Sequence, residues 1–179
     1  MFKILKYSDF NEELVEHLIK FTYKESADEI FEESYLKLID KEDRVGKELI
    51  YNKFKLDYYD FINLFMSEKQ KSQFIAVIEE KGKFVSGVRA IELSQGIWLE
   101  EALETAVEFR EHGHAMELVT SLIEELTLKK AELIVARVAK SNIESRNFHE
   151  KMNFIETSKD VIDENGIFYS MSVEYEYKL

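Results

Sequence analysis

Phe109-Arg110-Glu111-His112-Gly113-His114-Ala115 joins a predicted strand to a predicted helix, and this joint decides the fold. Residues 97–106 before it are rich in apolar side chains and predict a strand. After it, apolar side chains recur from Ala115 to Leu126 at the spacing of an amphipathic helix. Such a joint directs free backbone N–H groups and the positive helix end at one point, which suits an anion such as a pyrophosphate. The commoner alternative for so short a pattern is a plain helix start after a tight turn.

A second strand and helix follow the joint. Residues 132–138 predict a strong strand, and the next helix begins at Asn142. A strand–helix–strand connection of this length implies two parallel strands beside the joint. If the two strands splay at their carboxyl ends, they leave a cleft for a slender ligand.

Together the two stretches resemble the GNAT family, the Gcn5-related N-acetyltransferases. Arg110-x-x-Gly113-x-Ala115 is similar to the pyrophosphate loop of that family. Asn142, Ser145 and the run 148–154 are similar to its later helix motif. The resemblance covers roughly residues 73–177, and two spaced motifs in order are fairly specific. It implies an α/β (α+β) fold: a mixed, mostly antiparallel sheet whose central parallel strand pair is splayed around an acyl-CoA site, with helices on both faces.

The family resemblance also implies a function. We expect an acetyl-CoA-dependent N-acetyltransferase that acts on a small-molecule or peptide primary amine by direct attack. The chain has no cysteine, which agrees with a mechanism that needs no covalent enzyme intermediate. One alternative is a catalytically weak, GNAT-like module that binds or senses acyl-CoA without turnover. Another is a purely structural or partner-binding domain.

The resemblance implies that three segments bind coenzyme A. They are the strand edge with Leu103 and Thr105, the loop Arg110, Glu111, His112, Gly113, His114 and Ala115, and the later helix with Asn142 and Ser145. Glu111 and His112 stand where the family commonly has basic residues or glycine. A carboxylate beside a pyrophosphate weakens binding unless it points to solvent. Asn142 has a purely structural alternative as the cap of its helix.

Three side chains are the candidates for acid–base catalysis. Period-two geometry predicts Glu101 on the same side as Leu103 and Thr105, with Glu104 on the other face unless a bulge redirects the strand. By resemblance, Glu101 holds the position of a base, and His149 replaces the tyrosine that protonates the leaving thiolate. Histidine can release a proton near neutral pH. For each of the three, a simple solvent-facing side chain is the alternative.

Composition narrows the class of protein. The 179 residues carry a net charge of −12, which disfavours nucleic acid and anionic lipid as partners and tilts the acceptor towards amines. No apolar stretch approaches the ~20 residues of a membrane span, and the amino terminus is too charged for a signal peptide. We expect one cytoplasmic domain over residues 1–179. We expect no metal, since the histidines of the loop occupy anion-binding positions.

The amino-terminal region is predicted to be an extended helical insertion over residues 7–70, longer than the two helices usual in the family. Ser8 or Asp9 is the expected cap of its first helix. Residues 45–66 predict further helix, either continuous or broken in two. The insertion can serve as a roof over the acceptor site or as the surface of a homodimer. Core packing for its own sake is the third alternative.

Glycine and asparagine predict three local features. Gly87 within a strand indicates a bulge or a closely approaching backbone. Asn153 predicts a left-handed helix stop. The Asn-Gly pair in 163–166 predicts a hairpin turn between two closing strands.

Overall fold

A seven-stranded mixed sheet forms the centre of the computed structural model, which describes residues 1–39, 44–67 and 72–179. Its strands lie in the order β1-β2-β3-β4-β5-β9-β6, and β7 and β8 form a separate hairpin. The strands are β1 (Phe2–Leu5), β2 (Gln73–Glu80), β3 (Lys83–Ser94), β4 (Ile97–Thr105), β5 (Leu133–Ala139), β6 (Ile155–Ser158), β7 (Val161–Ile162), β8 (Phe168–Tyr169) and β9 (Ser172–Lys178).

Helices cover both faces of the sheet. They are α1 (Glu12–His17), which continues as a π-helical segment Leu18–Thr22, α2 (Lys24–Ile30), which continues through Phe31–Tyr35 and Leu36–Leu38, α3 (Arg44–Ser67), α4 (His114–Leu128) and α5 (Ile143–Lys151). The predicted helical region 7–70 is therefore present in its described part. Positions 40–43 and 68–70 of that prediction lie outside the described residues.

One parallel pair interrupts the otherwise antiparallel sheet. Strands β4 and β5 pair in parallel from Ile97–Leu133 to Glu100–Ala136, and every other neighbouring pair is antiparallel. The predicted fold class is thereby confirmed. The ladder ends at Glu100 although β4 continues to Thr105 and β5 to Ala139.

Each face of the sheet has its own apolar core. On one face, α4 buries Leu118, Val119, Leu122 and Leu126 against β2, β3, β4, β5 and β9. On the other, β2 packs against the amino-terminal helices, whose largest buried side chains are Phe54 and Ile62 of α3. The alternation of apolar residues along β2 supplies both cores, as strand geometry requires.

A bulge in β4 changes the direction of its last residues. Glu101 pairs with Arg89 and Glu104 pairs with Gly87, so that two β4 residues stand opposite one β3 residue. Ala102 adopts a left-handed backbone there, with φ 52°. Because partners across a ladder point to the same face, Glu101 and Glu104 lie on one face. The extra residue lies in β4, opposite Val88, so the bulge expected within the strand of Gly87 belongs to the neighbouring strand instead.

Several local expectations need correction. Asn11 caps α1 by accepting from the Leu14 N–H at 2.8 Å, whereas Asp9 accepts from the backbone N–H of Lys6 at 2.7 Å and closes the preceding turn. Helix α3 runs unbroken from Arg44 to Ser67. The turn at 163–166 joins β7 to β8, short strands that precede β9. Asn153 has φ 66°, as predicted for a helix stop.

Among the described residues, no helix combines the length and the hydropathy that a membrane crossing requires.

Gly87 should be intolerant of a side chain, because a Cβ atom there would lie 2.6 Å from the Tyr23 hydroxyl oxygen. The close neighbour is thus a side chain rather than a backbone. Gly87→Ala should lower the free energy of unfolding by about 1–3 kcal/mol, as overpacking does, measured by urea denaturation. In a Tyr23→Leu background the same change should cost little, so equal losses in both backgrounds would contradict this packing.

Candidate active site

A cavity of about 570 Å³ lies where β4 ends, between the starts of α2, α4 and α5. We call it the loop cavity. Of the site residues predicted from sequence, its wall contains Leu103, Glu104, Thr105, Arg110, Glu111, Gly113, His114, Ala115, Asn142 and Ser145. The structure therefore brings together most of the predicted cofactor residues. His112, Glu101 and His149 do not belong to this wall.

The loop after β4 presents backbone N–H groups to the cavity. A 3₁₀ turn at Val107–Phe109 leads into Glu111 (φ 63°) and Gly113 (φ 86°), both left-handed, before α4 begins at His114. Within the described part of the chain, no side chain caps the start of α4. A Cβ atom at Gly113 would meet no atom within 4 Å, so the space beside it is open. Uncapped N–H groups at a helix start attract anions.

The edge of β4 that faces β5 is open beside this loop. Pairing with β5 stops at Glu100, whereas pairing with β3 continues to Thr105. Residues 101–105 therefore offer backbone groups along the cleft between the diverging strands. An extended ligand with amide groups can pair with such an edge as an added strand does.

Arg110 links the loop to the amino-terminal helices. Its Nε donates to the Thr105 carbonyl at 3.0 Å, and its guanidinium binds both carboxylate oxygens of Glu25. The hydrogen bonds that Arg110 donates to Glu25 are the main reason that the pKa of Arg110 is raised. Arg110 is thus a cationic bridge between the loop and α2.

The charge of the cavity wall is predominantly negative. Its carboxylates are Glu25, Glu29, Glu104, Glu111 and Glu144, and its cations are Arg110 and Lys151. His114, also in the wall, lies with Nε2 3.0 Å from a Glu80 oxygen. The wall thus combines anion-binding backbone with an acidic set of side chains.

Glu104 lies where the loop cavity meets the start of α2. Its carboxylate accepts from the Glu25 backbone N–H at 3.0 Å and from the Ser26 hydroxyl. Burial raises the pKa of Glu104, and the bonds from Ser26 and Glu25 oppose that rise. A half-buried carboxylate with a raised pKa has the properties of a general base. Glu104 points to the face opposite Thr105, as period-two geometry predicts, because the two residues pair with the consecutive β3 residues Gly87 and Ser86.

Glu101 lies away from Leu103 and Thr105. Its carboxylate is 3.1 Å from the Arg89 guanidinium, and it lines a separate cavity with Phe61 and Phe65 of α3. The expectation that Glu101 borders the same cavity as Leu103 was therefore wrong. The physical reason is the bulge at Ala102, which shifts the alternation of β4 by one residue.

His149 lies behind the cavity wall. Its ring is 3% exposed, Nδ1 donates to the Ser145 carbonyl at 2.7 Å, and Nε2 is 3.3 Å from Glu100 Oε1. Burial lowers the pKa of His149, but the Glu100 contact outweighs it, so the pKa is raised. Because two lone pairs would repel, the Nε2–Oε1 contact holds a proton. The expectation that His149 faces the cavity was wrong.

Asn142 and Ser145 occupy the start of α5. The Asn142 side chain accepts from the Ser145 N–H at 3.0 Å, which is the capping geometry expected of it. The Ser145 hydroxyl lies 3.4 Å from His149 Nδ1. Both residues line the cavity, so they remain accessible to a ligand although Asn142 also caps the helix.

Sequence reasoning missed several residues of the wall, namely Glu25, Ser26, Glu29, Phe109, Met116, Glu144, Phe148 and Lys151. Phe109 belongs to the joint stretch, and Phe148 and Lys151 belong to the α5 motif, where their helix could have indicated them. Glu25 and Ser26 carry no such signal, because 79 and 78 residues separate them from Glu104, respectively. Only the folded chain brings α2 to the end of β4.

Several solved structures share this fold, two of them over the full chain. The PaiA N-acetyltransferase from Thermoplasma acidophilum, in complex with coenzyme A, is 13% identical with a TM-score of 0.67, covering 100% of this chain and 99% of that one. A GNAT-family acetyltransferase from Staphylococcus aureus is 15% identical at 0.65, with the same coverage. An acetyl-CoA-bound GNAT acetyltransferase from Elizabethkingia anophelis is 15% identical at 0.55, covering 67% and 82%. A search of curated protein sequences gives no match.

This chain shares its fold with solved acetyltransferase structures. The sequence model of the acetyltransferase (GNAT) family matches residues 37–154. This chain therefore belongs to the GNAT acetyltransferase family, as its two motifs predicted.

The His149–Glu100 pair should make stability depend on pH. Since folding raises the pKa of His149, its contribution is complete below the unfolded value of about 6.5 and is lost as pH rises through the folded value. Urea denaturation should give a lower free energy of unfolding for the wild type at about pH 8.5 than at about pH 5.5. In Glu100→Gln this difference should be smaller.

Exposed Glu132 provides the control for that experiment. Glu132→Gln should keep the pH dependence of the wild type. An unchanged pH dependence in Glu100→Gln would show that the pair does not raise the pKa of His149 in the folded state. His149→Phe, which strands a buried carboxylate, should cost about 3–5 kcal/mol.

Proposed function

We propose that this protein transfers the acetyl group of acetyl-CoA to a primary amine by direct attack. The observation that carries the proposal is the open edge of β4 at 101–105, which leads directly to the uncapped start of α4. Membership of the acetyltransferase family supports it. So does the coenzyme A complex of the Thermoplasma relative.

The loop cavity offers coenzyme A an open strand edge and an uncapped helix start. The N–H groups between Arg110 and Ala115 are proposed to hold its pyrophosphate, and the edge at Leu103 and Thr105 its amide-bearing arm. Asn142 and Ser145 would contact it from α5. His112 lies outside the wall, so we do not include it. Bound acetyl-CoA supplies the activated acetyl thioester, and the protein supplies position and proton transfer.

Charge is the part of the cavity that fits less well. Glu111 stands in the loop with a left-handed backbone, a conformation that glycine adopts without strain. Its carboxylate adds to the acidic wall beside the proposed pyrophosphate site. We infer that Glu111 weakens coenzyme A binding. A module that binds acyl-CoA without turnover is the alternative that this acidic wall favours.

Glu104 is the proposed base that takes a proton from the attacking amine. It lines the loop cavity, and burial raises its pKa towards the working range of a base. Glu101 is the weaker candidate because Arg89 engages it on the far side of the bulge. We assign no proton transfer to His149, since both ring nitrogens have partners inside the core.

The helical region 7–70 is proposed to be the roof of the acceptor site in a single domain of residues 1–179. Its contact with the site is direct: Ser26 lines the loop cavity and donates to Glu104. Arg110 secures the same helix through Glu25. The acceptor is therefore expected to enter beneath α2 and α3.

Glu111→Gly should raise coenzyme A affinity by about threefold to tenfold, because it removes a charge of the same sign as the pyrophosphate. Glu111→Gln removes the same charge and should give a similar gain. Calorimetry at low salt measures both, since salt screens the effect.

Glu108, exposed and outside the wall, is the matched control for the charge. Glu108→Gln should leave the dissociation constant unchanged. Gly113→Val should abolish binding, because valine strains the left-handed position and occupies the open space beside the loop. Unchanged affinity in both Glu111→Gln and Gly113→Val would place the pyrophosphate elsewhere.

Glu104→Gln should lower kcat by about a hundredfold or more, the usual loss when a general base is removed. In Glu104→Gln the amide oxygen can accept from the Glu25 N–H, and the amide NH₂ can donate to the Ser26 hydroxyl oxygen. The position of α2 and the coenzyme A dissociation constant should therefore remain as they are. In the wild type, kcat/KM should rise with pH through the raised pKa of Glu104, and the variant should lose this limb. A large loss in Glu101→Gln with none in Glu104→Gln would transfer the role to Glu101.

A further inference from the structure

A second cavity, of about 280 Å³, lies between α2, α3 and the bulge of β4. We call it the aromatic cavity, because its wall includes Tyr23, Tyr35, Phe54, Tyr58 and Phe61. It lies on the α3 face of the sheet, beside the loop cavity. Aromatic walls of this kind favour a flat apolar group.

Ser26 connects the two cavities. It lines both, and its hydroxyl donates to Glu104. Ala102, the left-handed residue of the bulge, also lines the aromatic cavity, and its neighbour Leu103 lines the loop cavity. A molecule in the aromatic cavity therefore lies beside the proposed base.

The Tyr23 hydroxyl is an unsatisfied polar group at the same end of the cavity. The residue is 3% exposed, and its hydroxyl has no hydrogen-bond partner among the described residues. It lies against Gly87, which pairs with Glu104 across the ladder. A buried polar group without a partner is costly, and a ligand that bonds to it recovers that cost. The polar end of the cavity thus consists of Ser26 and the Tyr23 hydroxyl, and the Ser26 hydroxyl is bonded to Glu104.

The remaining charged groups of the wall already have partners. Asp57 accepts from the Tyr35 hydroxyl at 2.8 Å and pairs with Lys53. Arg89 pairs with Glu101 at 3.1 Å and lies 5.1 Å from the centre of the Phe61 ring. Recognition of a polyamine or an aminoglycoside needs several free carboxylates along the ligand. The aromatic cavity offers a single polar end instead.

The volume decides the size of the ligand. A cavity of about 150 Å³ already takes up benzene. The aromatic cavity, at about 280 Å³, therefore has room for one ring and a short chain. A large polycyclic or oligosaccharide body would not fit.

We propose that the acceptor is a small primary monoamine with one flat apolar ring, seated in the aromatic cavity with its amine at Ser26, Glu104 and Tyr23. This inference rests on the proposed function. 2-Phenylethylamine is the simplest compound of the class and is the probe. Spermidine, kanamycin and a lysine-containing peptide represent the rival classes of acceptor.

The first measurement is direct binding of 2-phenylethylamine to the whole protein, by calorimetry and ligand-observed NMR without acetyl-CoA. Ile30→Trp should abolish binding, because Ile30 lines the cavity at its exposed rim and the larger side chain fills it. Leu38→Trp, at an exposed position outside the cavity, is the matched control and should bind as the wild type does. Tyr23→Phe should weaken binding about tenfold, the usual effect of losing a hydrogen bond to a charged group.

The second measurement is thiol release from acetyl-CoA with each amine, beside coenzyme A binding. Turnover should be highest for 2-phenylethylamine and lost in Ile30→Trp, with coenzyme A affinity unchanged. Turnover of spermidine, kanamycin or the peptide alone, insensitive to Ile30→Trp, would overturn the inference and leave the proposed function intact. Absence of coenzyme A binding would overturn the proposed function. In that case the binding measurement still tests the ligand class. Binding of 2-phenylethylamine that is lost in Ile30→Trp would support the proposed class, and absence of binding to the wild type would refute it.

Discussion

The left-handed backbone of Ala102 is the constraint on which the site depends. For a residue with a Cβ atom this conformation costs about 1–2 kcal/mol, yet it sits in the central strand of the sheet. It accompanies the extra residue by which β4 loses its alternation against β3, just after the ladder with β5 ends. This single irregularity accompanies the open strand edge and turns Glu101 away from the side of Leu103 and Thr105. A strained backbone conformation of this kind persists only because the packing of the surrounding residues maintains it.

Glu104 then connects the helical layer to the loop. Its carboxylate holds the start of α2 through the Glu25 N–H and the Ser26 hydroxyl, and the Glu25 side chain returns to Arg110. A change in one of these groups reaches the others through bonds rather than through packing alone. The position of the proposed base and the position of the loop arginine are therefore coupled, although they belong to different walls of the cavity.

The features that depend on a local sequence pattern were predicted correctly. The features that depend on contacts between distant segments were not. Apolar periodicity predicted β4, α4 and β5, Asn153 predicted the helix stop, and Gly87 indicated a close approach, which the Tyr23 side chain makes. The side on which Glu101 lies was missed because the left-handed φ of Ala102 has no local signal. The carboxylates of α2 in the cavity wall were missed because only the tertiary fold brings that helix to β4.

His149 lies in the helix that its motif predicted, but its ring is buried beside Glu100 instead of facing the cavity. It stands at the start of the run that identifies α5, yet the partner that fixes its ring is Glu100, at the last paired position of the parallel ladder. The other carboxylate oxygen of Glu100 is buried and has no partner among the described residues. A buried carboxylate needs a compensating proton or cation, and Nε2 supplies it. The pair therefore closes the base of the splayed strands, and Ser145, 3.4 Å from His149 Nδ1, is the polar side chain that separates it from the cavity.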